Sequence, residues 1–434
     1  MIKMAQLNRR SLLAGGPVVL ASCALGPDVQ GANREPLDAY FQVALEAIAS
    51  CGSLNAGGYG ELALDRFLSS HLLSYDYAVV ERKVPVPFFE ARECSLRFGG
   101  QELSLHAQAP VKMTLPEGAR GRLSLQFALG PRELDPGDIV VVELPYARHS
   151  GFASSLVELV TTVHEKGAAG VVLVTTGPTG EAVPLNAPKG VKTFPLPVAI
   201  AGSQHLPQLK AGEGDVATLL IRGVAAQRET RNIIARSSSS EAPCILVTTP
   251  KSGWGPCIGE RGGGLVIFQY LAEALRHRFP TTPLMFVATG GHEYHNAGAE
   301  IFLSDVAPAP DKVKLWVHLG AGLAARDWHE TPAGLAPLPS ADAQRYLMGR
   351  TADLEVLRAS FAGQPGLEMP YPLEAGAAGE LAGISAAGYR TFGAFGAHRL
   401  HHLPGDDLTT TSGRLVTPVA ESFLHAIMSL VQQD

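Results

Sequence analysis

After Arg228 the sequence alternates strand-like apolar runs with longer amphipathic segments, and this alternation is the feature that most restricts the possible folds. Strands separated by helices predict an α/β fold, in which a mixed, mostly parallel sheet is covered by helices on both faces. The pattern predicts strands at 245–249, 284–289 and 313–319, and helices at 265–279, 297–303 and 415–431. Ligands of such sheets bind beyond the carboxyl ends of the strands. We therefore expect a functional site at that edge.

The chain before Arg228 has a different texture. Residues 35–77 follow a helical pattern, whereas residues 78–223 contain short β-like runs separated by proline and glycine, with one helix at 152–166. This change predicts a separate β-rich domain with its own core. The sequence therefore predicts an export signal over 1–22, the first part of an α/β domain over 23–77, the β-rich domain over 78–227 and the rest of the α/β domain over 228–434.

The first 22 residues predict export. Basic residues precede the apolar run 11–21, which is shorter than a membrane-spanning helix. Arg9 and Arg10 resemble a twin-arginine signal, and the run Leu20-Ala21-Ser22-Cys23 resembles a lipoprotein processing site at which Cys23 receives the lipid. An ordinary cleaved signal with a chance cysteine is the alternative. We expect an exported periplasmic or cell-envelope lipoprotein that is anchored to the membrane through Cys23.

Composition excludes one class of partner. The chain is 46% hydrophobic and 18% charged, and its formal net charge is −6. This composition is typical of a globular protein, and a basic chain that coats nucleic acid is excluded. We therefore expect no nucleic-acid partner and no contact with a membrane beyond the lipid anchor.

Side chains that bind metals or transfer protons collect where the predicted strands end. Histidine and carboxylate are the main ligand and acid–base types, so their clustering predicts metal or proton-transfer chemistry. The first strand is followed by Ser252, Trp254, Glu260 and Arg261, the second by His292, Glu293 and His295, the third contains His318, and a later loop contains His398, His401, His402, Asp406 and Asp407.

Several of these residues have more than one interpretation. Arg261 either forms a buried salt bridge with Glu260 or binds a substrate carboxylate through both of its terminal nitrogens. Trp254 fits a pocket wall, and we also assign His401 and Asp407 to substrate binding. The gap between His292 and His295 is too short for two ligands on one helix face, so His295 fits a structural role.

The arrangement of these segments resembles a known family. Residues 229–434 resemble the co-catalytic zinc aminopeptidases of the bacterial leucyl aminopeptidase and aminopeptidase S type. The runs at 138–142, 164–173 and 195–200 are similar to the protease-associated domain that is often inserted in those enzymes. The resemblance covers nearly the whole mature chain. It implies the zinc aminopeptidase fold, a zinc cofactor and a peptide or amide substrate.

The metal ligands of the family carry over only in part. Glu293 and His402 match a ligand each, and Glu260 is a longer carboxylate in place of the bridging aspartate. Pro250 and Ser252 stand where the family has a histidine and, two residues later, an aspartate. His318 is the residue nearest to its third-strand ligand, and His292 replaces the glutamate that acts as general base. Pro250 offers no side-chain ligand, so the resemblance implies one zinc ion rather than two.

Three functions remain open at this point. In the first, Glu260, Glu293, His402 and His318 hold one metal ion, and His292 acts as general base in the hydrolysis of a peptide or other amide bond. In the second, Ser252 is a nucleophile with His292 or His295 as its base. In the third, the fold serves a catalytically inactive peptide- or glycan-binding lipoprotein. The clustering of long polar side chains favours the first, because such groups are costly to bury without a use.

Overall fold

A computed structural model describes residues 34–127, 134–147, 153–238, 240 and 242–432. The predicted export signal and the lipid attachment at Cys23 lie outside the described residues, so they stay predictions.

Sixteen strands and nine α-helices occur in the described ranges. The strands are β1 Ala78–Phe98, β2 Gln101–Ser104, β3 His106–Ala107, β4 Ala119–Phe127, β5 Ile139–Tyr146, β6 Gly170–Thr176, β7 Val198–Gly202, β8 Val216–Arg236, β9 Cys244–Pro250, β10 Leu284–Thr289, β11 Val313–Leu319, β12 Arg326–Thr331, β13 Gly334–Ala341, β14 Arg345–Gly349, β15 Tyr371–Pro372 and β16 Thr391–Gly396. The helices are α1 Glu35–Ala49, α2 Tyr59–Ser74, α3 Ala153–Glu165, α4 Leu206–Ala211, α5 Gly263–Arg278, α6 Ala297–Asp305, α7 Leu354–Ser360, α8 Gly379–Ala386 and α9 Gly413–Gln432.

The central sheet has the strand order β15-β14-β16-β11-β9-β10-β8. Strands β10, β9, β11 and β16 are parallel neighbours, whereas β8 and β14 pair antiparallel at the two sides of this group. The predicted α/β fold with a mixed, mostly parallel sheet is thus confirmed.

Helices cover both faces of this sheet, because its strands are apolar on both sides. In β9, Ile245 and Val247 belong to one buried cluster, which contains residues of α1, α2, α5 and α9. Leu246, between them, belongs to a second cluster with Phe302 of α6 and Ile384 of α8. Successive strand residues point to opposite faces, so a continuous apolar run needs a helical layer on each side.

Helix α9 is long and apolar enough to cross a membrane when judged by length and composition alone. Its side chains instead pack in the core, where Val416, Phe423 and Ile427 have no exposed surface. Burial of each such side chain contributes about 1.5–3 kcal/mol. The helix therefore belongs to the packed layer of the α/β core.

Two long strands join the α/β part to the β-rich part. Strands β1 and β8 pair antiparallel from Ala78↔Arg236 to Phe98↔Ala217. One end of β8 pairs with β10 of the central sheet, and the other end pairs with β4, which leads to β5, β6, β7 and β3. The β-rich part has its own buried clusters. The predicted boundary at 227/228 lies inside β8, so the two parts share a continuous strand at that point.

Candidate functional site

Strand ends and a tight helical turn bring together the polar residues of the sequence-predicted site. The chain leaves β9 at Pro250 and reaches a π-helical turn at Ile258–Gly262, which leads directly into α5. The turn carries Glu260 and Arg261, and both are buried. π-Helical turns are rare and are found frequently at functional sites.

Glu260, His401 and His402 form a group that we call the histidine cluster. One potential ligand atom of each residue lies within 4.8 Å of the other two. The Nε2 atom of His402 is 3.6 Å from Oε1 of Glu260, and the Nε2 atom of His401 is 3.8 Å from the same oxygen. The two imidazole rings stack with their centroids 4.3 Å apart. All three residues are buried.

The carboxylate of Glu260 carries its charge in this interior. Burial alone would raise its pKa, but Arg261 and the two histidines outweigh that effect and hold the pKa well below the usual range. Nη2 of Arg261 lies 2.6 Å from Oε1 of Glu260. Even so, neither oxygen of this carboxylate has an aligned hydrogen-bond partner among the described residues. Burying an ionised and incompletely hydrogen-bonded carboxylate costs free energy unless a further cation or hydrogen-bond donor binds it.

A backbone contact sets the tautomer of His402. Its Nδ1 atom lies 2.8 Å from the carbonyl oxygen of Pro184, in the β-rich part of the chain. A carbonyl only accepts, so Nδ1 carries a proton, and Nε2, the atom nearer to Glu260, is the nitrogen that can bind a metal ion. Burial lowers the pKa of His401 well below its usual range, despite the opposite effect of Glu260.

The histidine cluster fits a single zinc ion. Zinc binds imidazole nitrogens and carboxylate oxygens at about 2.0–2.2 Å, so ligand atoms on a tetrahedral ion lie about 3.4 Å apart. The observed separations of 3.6 and 3.8 Å are close to that value. A donated Nδ1–H on a backbone carbonyl is also the usual support of a zinc-binding histidine. Two histidines and one carboxylate leave a coordination position open, as in catalytic zinc sites.

Asp406 fixes the backbone that carries Glu260. Its carboxylate accepts hydrogen bonds from the amides of Gly259 at 2.6 Å and Glu260 at 3.0 Å, and from the Thr410 hydroxyl at 2.8 Å. His398 pairs with the same carboxylate at 3.2 Å. The sequence placed Asp406 and His398 in the right loop but gave them no role, because the amides that Asp406 binds lie 147 and 146 residues earlier in the chain.

Glu293 and Ser252 lie in a separate arrangement. The Ser252 hydroxyl donates to Oε2 of Glu293 at 2.7 Å and accepts from the amides of Gly291 at 2.8 Å and His292 at 3.3 Å. Oε1 of Glu293 accepts from the Ala56 amide at 2.7 Å. Both side chains are buried, and each of their oxygens has a hydrogen-bond partner. The structure therefore brings the predicted ligand Glu293 together with the predicted nucleophile Ser252, and not with the histidine cluster.

His292 forms a pair with Glu380, which lies at the start of α8. Nδ1 of His292 is 3.3 Å from Oε1 of Glu380, and the Thr289 hydroxyl is 2.9 Å from both carboxylate oxygens. Burial and the nearby Arg261 lower the pKa of His292, although Glu380 opposes them. The imidazole is thus neutral near pH 7, and Nδ1 is oriented by a carboxylate. No sequence motif marked Glu380, which is 88 residues from its partner.

His318 lies outside the histidine cluster. Its Nδ1 atom is 3.0 Å from the Thr248 hydroxyl, which also accepts a hydrogen bond from the Trp316 indole at 2.9 Å. Burial lowers its pKa to about 4, with His292 and Arg261 adding to the effect and Glu380 opposing it. His318 therefore lies close enough to His292 and Glu380 for both to affect its pKa. His401, which the sequence assigned to substrate binding, instead lies with Glu260 and His402.

A second buried group, which we call the lysine cluster, contains Lys251, Glu61 and Asp65. The Lys251 ammonium contacts Oε1 of Glu61 and lies 2.8 Å from Oδ1 of Asp65. Lys251 has no exposed surface, and each acid is 2% exposed. The Thr230 hydroxyl and the Gly57 amide also bond Glu61. The sequence did not single out Lys251, because a lone lysine after a strand usually lies in solvent.

The remaining predicted substrate-binding residues lie in different places. The Arg261 Nε–H donates to the Ser252 carbonyl at 2.7 Å, in addition to its ion pair with Glu260. The Trp254 ring packs edge-on against Tyr294 at 5.7 Å. Asp407 accepts hydrogen bonds from Thr409 at the start of a short 3₁₀ turn and is exposed. Their roles in substrate binding stay predictions.

Solved structures of two aminopeptidases and of one further peptidase share this architecture. A zinc aminopeptidase from Bacillus subtilis matches with a TM-score of 0.69 and 15% identity over 90% of this chain and 94% of that chain. A Peptidase M28 precursor from Shewanella amazonensis SB2B matches with a TM-score of 0.68 and 16% identity over 92% and 95%. An aminopeptidase from Aneurinibacillus sp. strain AM-1 matches with a TM-score of 0.63 and 15% identity over 90% and 93%.

No protein-family model and no curated protein sequence matches this chain. At 15–16% identity, the structural likeness shows that the chain has the zinc aminopeptidase-like fold. The chemistry has to be argued from the site itself, because one fold supports many activities.

Proposed function

We propose that this protein hydrolyses a peptide or other amide bond at a site with one metal ion, held by Glu260, His401 and His402. The observation that carries the proposal is the histidine cluster: three ligand atoms lie within 4.8 Å of one another, and both oxygens of Glu260 lack aligned hydrogen bonds among the described residues. The proposal keeps the predicted zinc site and the predicted ligands Glu260 and His402. It replaces Glu293 and His318 by His401.

Zinc bound there would supply a Lewis acid that polarises the carbonyl of an amide substrate. The protein contributes orientation and proton transfer. Asp406 holds the backbone amide of Glu260, and the Pro184 carbonyl holds Nδ1 of His402. Each side chain is therefore fixed before a ligand arrives, and this reduces the cost of ordering at the moment of binding.

His292 is the general base of the proposal. The Glu380 carboxylate holds Nδ1 of His292, and the lowered pKa keeps the imidazole neutral near pH 7. The side chain of His292 is 16% exposed, whereas Glu380 is almost fully buried. This pairing gives His292 a fixed ring orientation and leaves Nε2 as the nitrogen that accepts a proton, as general base catalysis requires.

One observation favours a catalytically inactive binding protein as the second candidate. The Arg261 guanidinium, 2.6 Å from Glu260, already supplies a positive charge next to the carboxylate that would bind the metal. In this alternative the arginine neutralises Glu260 permanently, and the fold keeps a peptide- or glycan-binding role without hydrolysis.

The test uses metal-free protein with residues 1–22 removed, titrated with zinc in competition with a chromogenic chelator and assayed on a panel of aminoacyl anilides. We expect zinc-dependent hydrolysis. His402→Ala should lower zinc affinity by more than about 100-fold, since loss of a supporting group alone costs about 10–100-fold. His292→Gln should keep zinc and lower kcat by about 10²–10⁴-fold.

His329→Ala is the matched control, because His329 is exposed on β12. It should leave both affinity and rate unchanged. Zinc binding without hydrolysis of any amide would favour the binding protein, and wild-type protein that binds no zinc would contradict the metal site.

A further inference from the structure

A short segment of the β-rich part contacts two residues of the predicted site. We call Val183–Ala187, which lies between β6 and β7, the strap. The Pro184 carbonyl accepts from Nδ1 of His402 at 2.8 Å, and the Ala187 amide donates to the Glu293 carbonyl at 2.8 Å. The strap therefore spans from the β-rich part to two loops at the carboxyl edge of the central sheet.

The contact with Pro184 determines which nitrogen of His402 is free. With the proton held on Nδ1, the electron pair of Nε2 is available to a metal ion beside Glu260, at an observed separation of 3.6 Å. If the carbonyl moved away, the ring would lose its preferred tautomer and its fixed orientation. The position of the strap thus bears directly on the quality of His402 as a ligand.

The side chain of Gln108 forms hydrogen bonds with the strap. Its side-chain amide donates to the Leu185 carbonyl at 3.0 Å and to the Ala109 carbonyl at 2.6 Å, and its carbonyl oxygen accepts from the Leu185 amide at 3.2 Å. Gln108 is 1% exposed, so water does not compete for these bonds. The Leu185 amide belongs to the same peptide unit as the Pro184 carbonyl, so Gln108 fixes the peptide unit that orients His402.

Thr175 at the end of β6 supports the other side of Pro184. Its hydroxyl accepts from the Val183 amide at 2.8 Å. The residues before and after Pro184 are thus both hydrogen-bonded to side chains of the β-rich part, and both are buried. Two fixed neighbours leave the Pro184 carbonyl little freedom to turn.

We propose that Gln108 is a positioning residue for the histidine cluster and acts through the strap to keep the Pro184 carbonyl on His402. This inference rests on the proposed function, because it concerns the same metal ion. It assigns the β-rich part a role in tuning the metal site, although that part supplies no ligand to the cluster. Gln108 acts on the peptide unit that carries the Pro184 carbonyl, through its hydrogen bond with the Leu185 amide.

The test is the zinc affinity of Gln108→Met, measured by chelator competition on the otherwise full mature chain. Methionine keeps the length and packing of glutamine but removes all three hydrogen bonds. We expect zinc affinity to fall about 10–100-fold, the usual effect of losing an outer-shell partner. Thr175→Val removes the bond to Val183 with little change in shape and should lower the affinity in the same direction by a smaller factor.

Gln208→Met is the matched control. Gln208 lies half-buried on α4 in the same part of the chain, and its side-chain oxygen has no hydrogen-bond partner among the described residues. We expect its zinc affinity to match that of the wild type.

The visible absorption spectrum of the cobalt-loaded proteins gives a second readout, because it reports the geometry of the ligands and not the stability of the fold. It should change in Gln108→Met and stay constant in Gln208→Met. Equal affinity and equal spectra in wild type, Gln108→Met and Thr175→Val would overturn the positioning role and leave the proposed function standing. A wild type that binds no zinc would overturn both. If Gln108→Met does not fold, Thr175→Val decides alone.

Discussion

The histidine cluster and the lysine cluster lie near the same edge of the central sheet, and each contains buried carboxylates. In the lysine cluster, the Lys251 ammonium lies between Glu61 and Asp65. In the histidine cluster, Glu260 pairs with Arg261 and faces two imidazoles, and its oxygens lack aligned hydrogen bonds among the described residues. Oδ1 of Asp65 also lacks an aligned hydrogen bond, but the lysine cluster contains only carboxylates around one ammonium, whereas the histidine cluster adds two imidazoles to its carboxylate. Buried acidity and incomplete hydrogen bonding therefore do not distinguish the two groups, whereas the donor set of one carboxylate and two imidazoles does.

The largest expected effect is on stability in the lysine cluster. Lys251→Met removes the ammonium between two buried carboxylates and leaves Asp65 only the more distant Arg231, at 3.8 Å. Removing one partner of a buried ion pair costs about 3–5 kcal/mol. We expect that loss in the free energy of unfolding from urea titration, with zinc affinity of the folded protein within about threefold of wild type.

Lys83→Met is the comparison variant for this experiment. Lys83 pairs with Glu229 at 2.8 Å, but both side chains are at least half exposed. An exposed pair contributes about 0–1 kcal/mol, so this variant should change stability little. If Lys251→Met abolished zinc binding in folded protein, the two clusters would not be independent.

The second effect is a pH dependence from His318, which lies outside both clusters. Burial lowers its pKa to about 4, from 6.5 for a free side chain. Between these two values the unfolded chain therefore binds the proton more readily than the folded chain. The contribution of His318 to the free energy of unfolding is fully present above pH 6.5 and is lost as the pH falls toward 4. Each pKa unit corresponds to about 1.4 kcal/mol, so the loss attributable to this group is about 3 kcal/mol.

Unfolding of metal-free wild type and His318→Gln across pH 7 to 4 measures this effect. The variant should lose less stability than the wild type over that interval. Parallel curves would mean that His318 is not the buried neutral group described above.

The smallest effect concerns Ser252. Ser252→Ala removes the donor to Glu293 and the acceptor for the Gly291 amide, and unsatisfied buried groups of this kind cost about 1–3 kcal/mol. We expect that loss in the free energy of unfolding, with zinc affinity unchanged. Complete loss of activity with normal stability, together with labelling of wild-type Ser252 by a fluorophosphonate, would instead support serine chemistry.

The fold was predictable because its signals are local. The apolar run of β9 and the periodicity of α9 are visible in short windows of sequence, and the observed elements match both. The edge of the sheet at which the site lies was also predictable, because the carboxyl ends of parallel strands lie at the same edge.

The partners within the site were not predictable in the same way. The Ala56 amide that bonds Glu293 is 237 residues away in the chain, and Glu380 is 88 residues from His292. His401 and His402 are adjacent, so the sequence favoured one of them as a ligand, whereas their stacked rings direct both toward Glu260. Such contacts depend on loop conformations that no periodic pattern encodes.

The measurement that tests the central claim most directly is the zinc content of wild type, Glu260→Gln and Glu293→Gln, purified in parallel and analysed for metal per chain. Both glutamates are buried carboxylates at the same edge of the sheet, and the two substitutions are chemically identical. We predict one zinc ion in the wild type, one in Glu293→Gln and almost none in Glu260→Gln. Zinc retained by Glu260→Gln and lost from Glu293→Gln, or absent from the wild type, would contradict the assignment of the site.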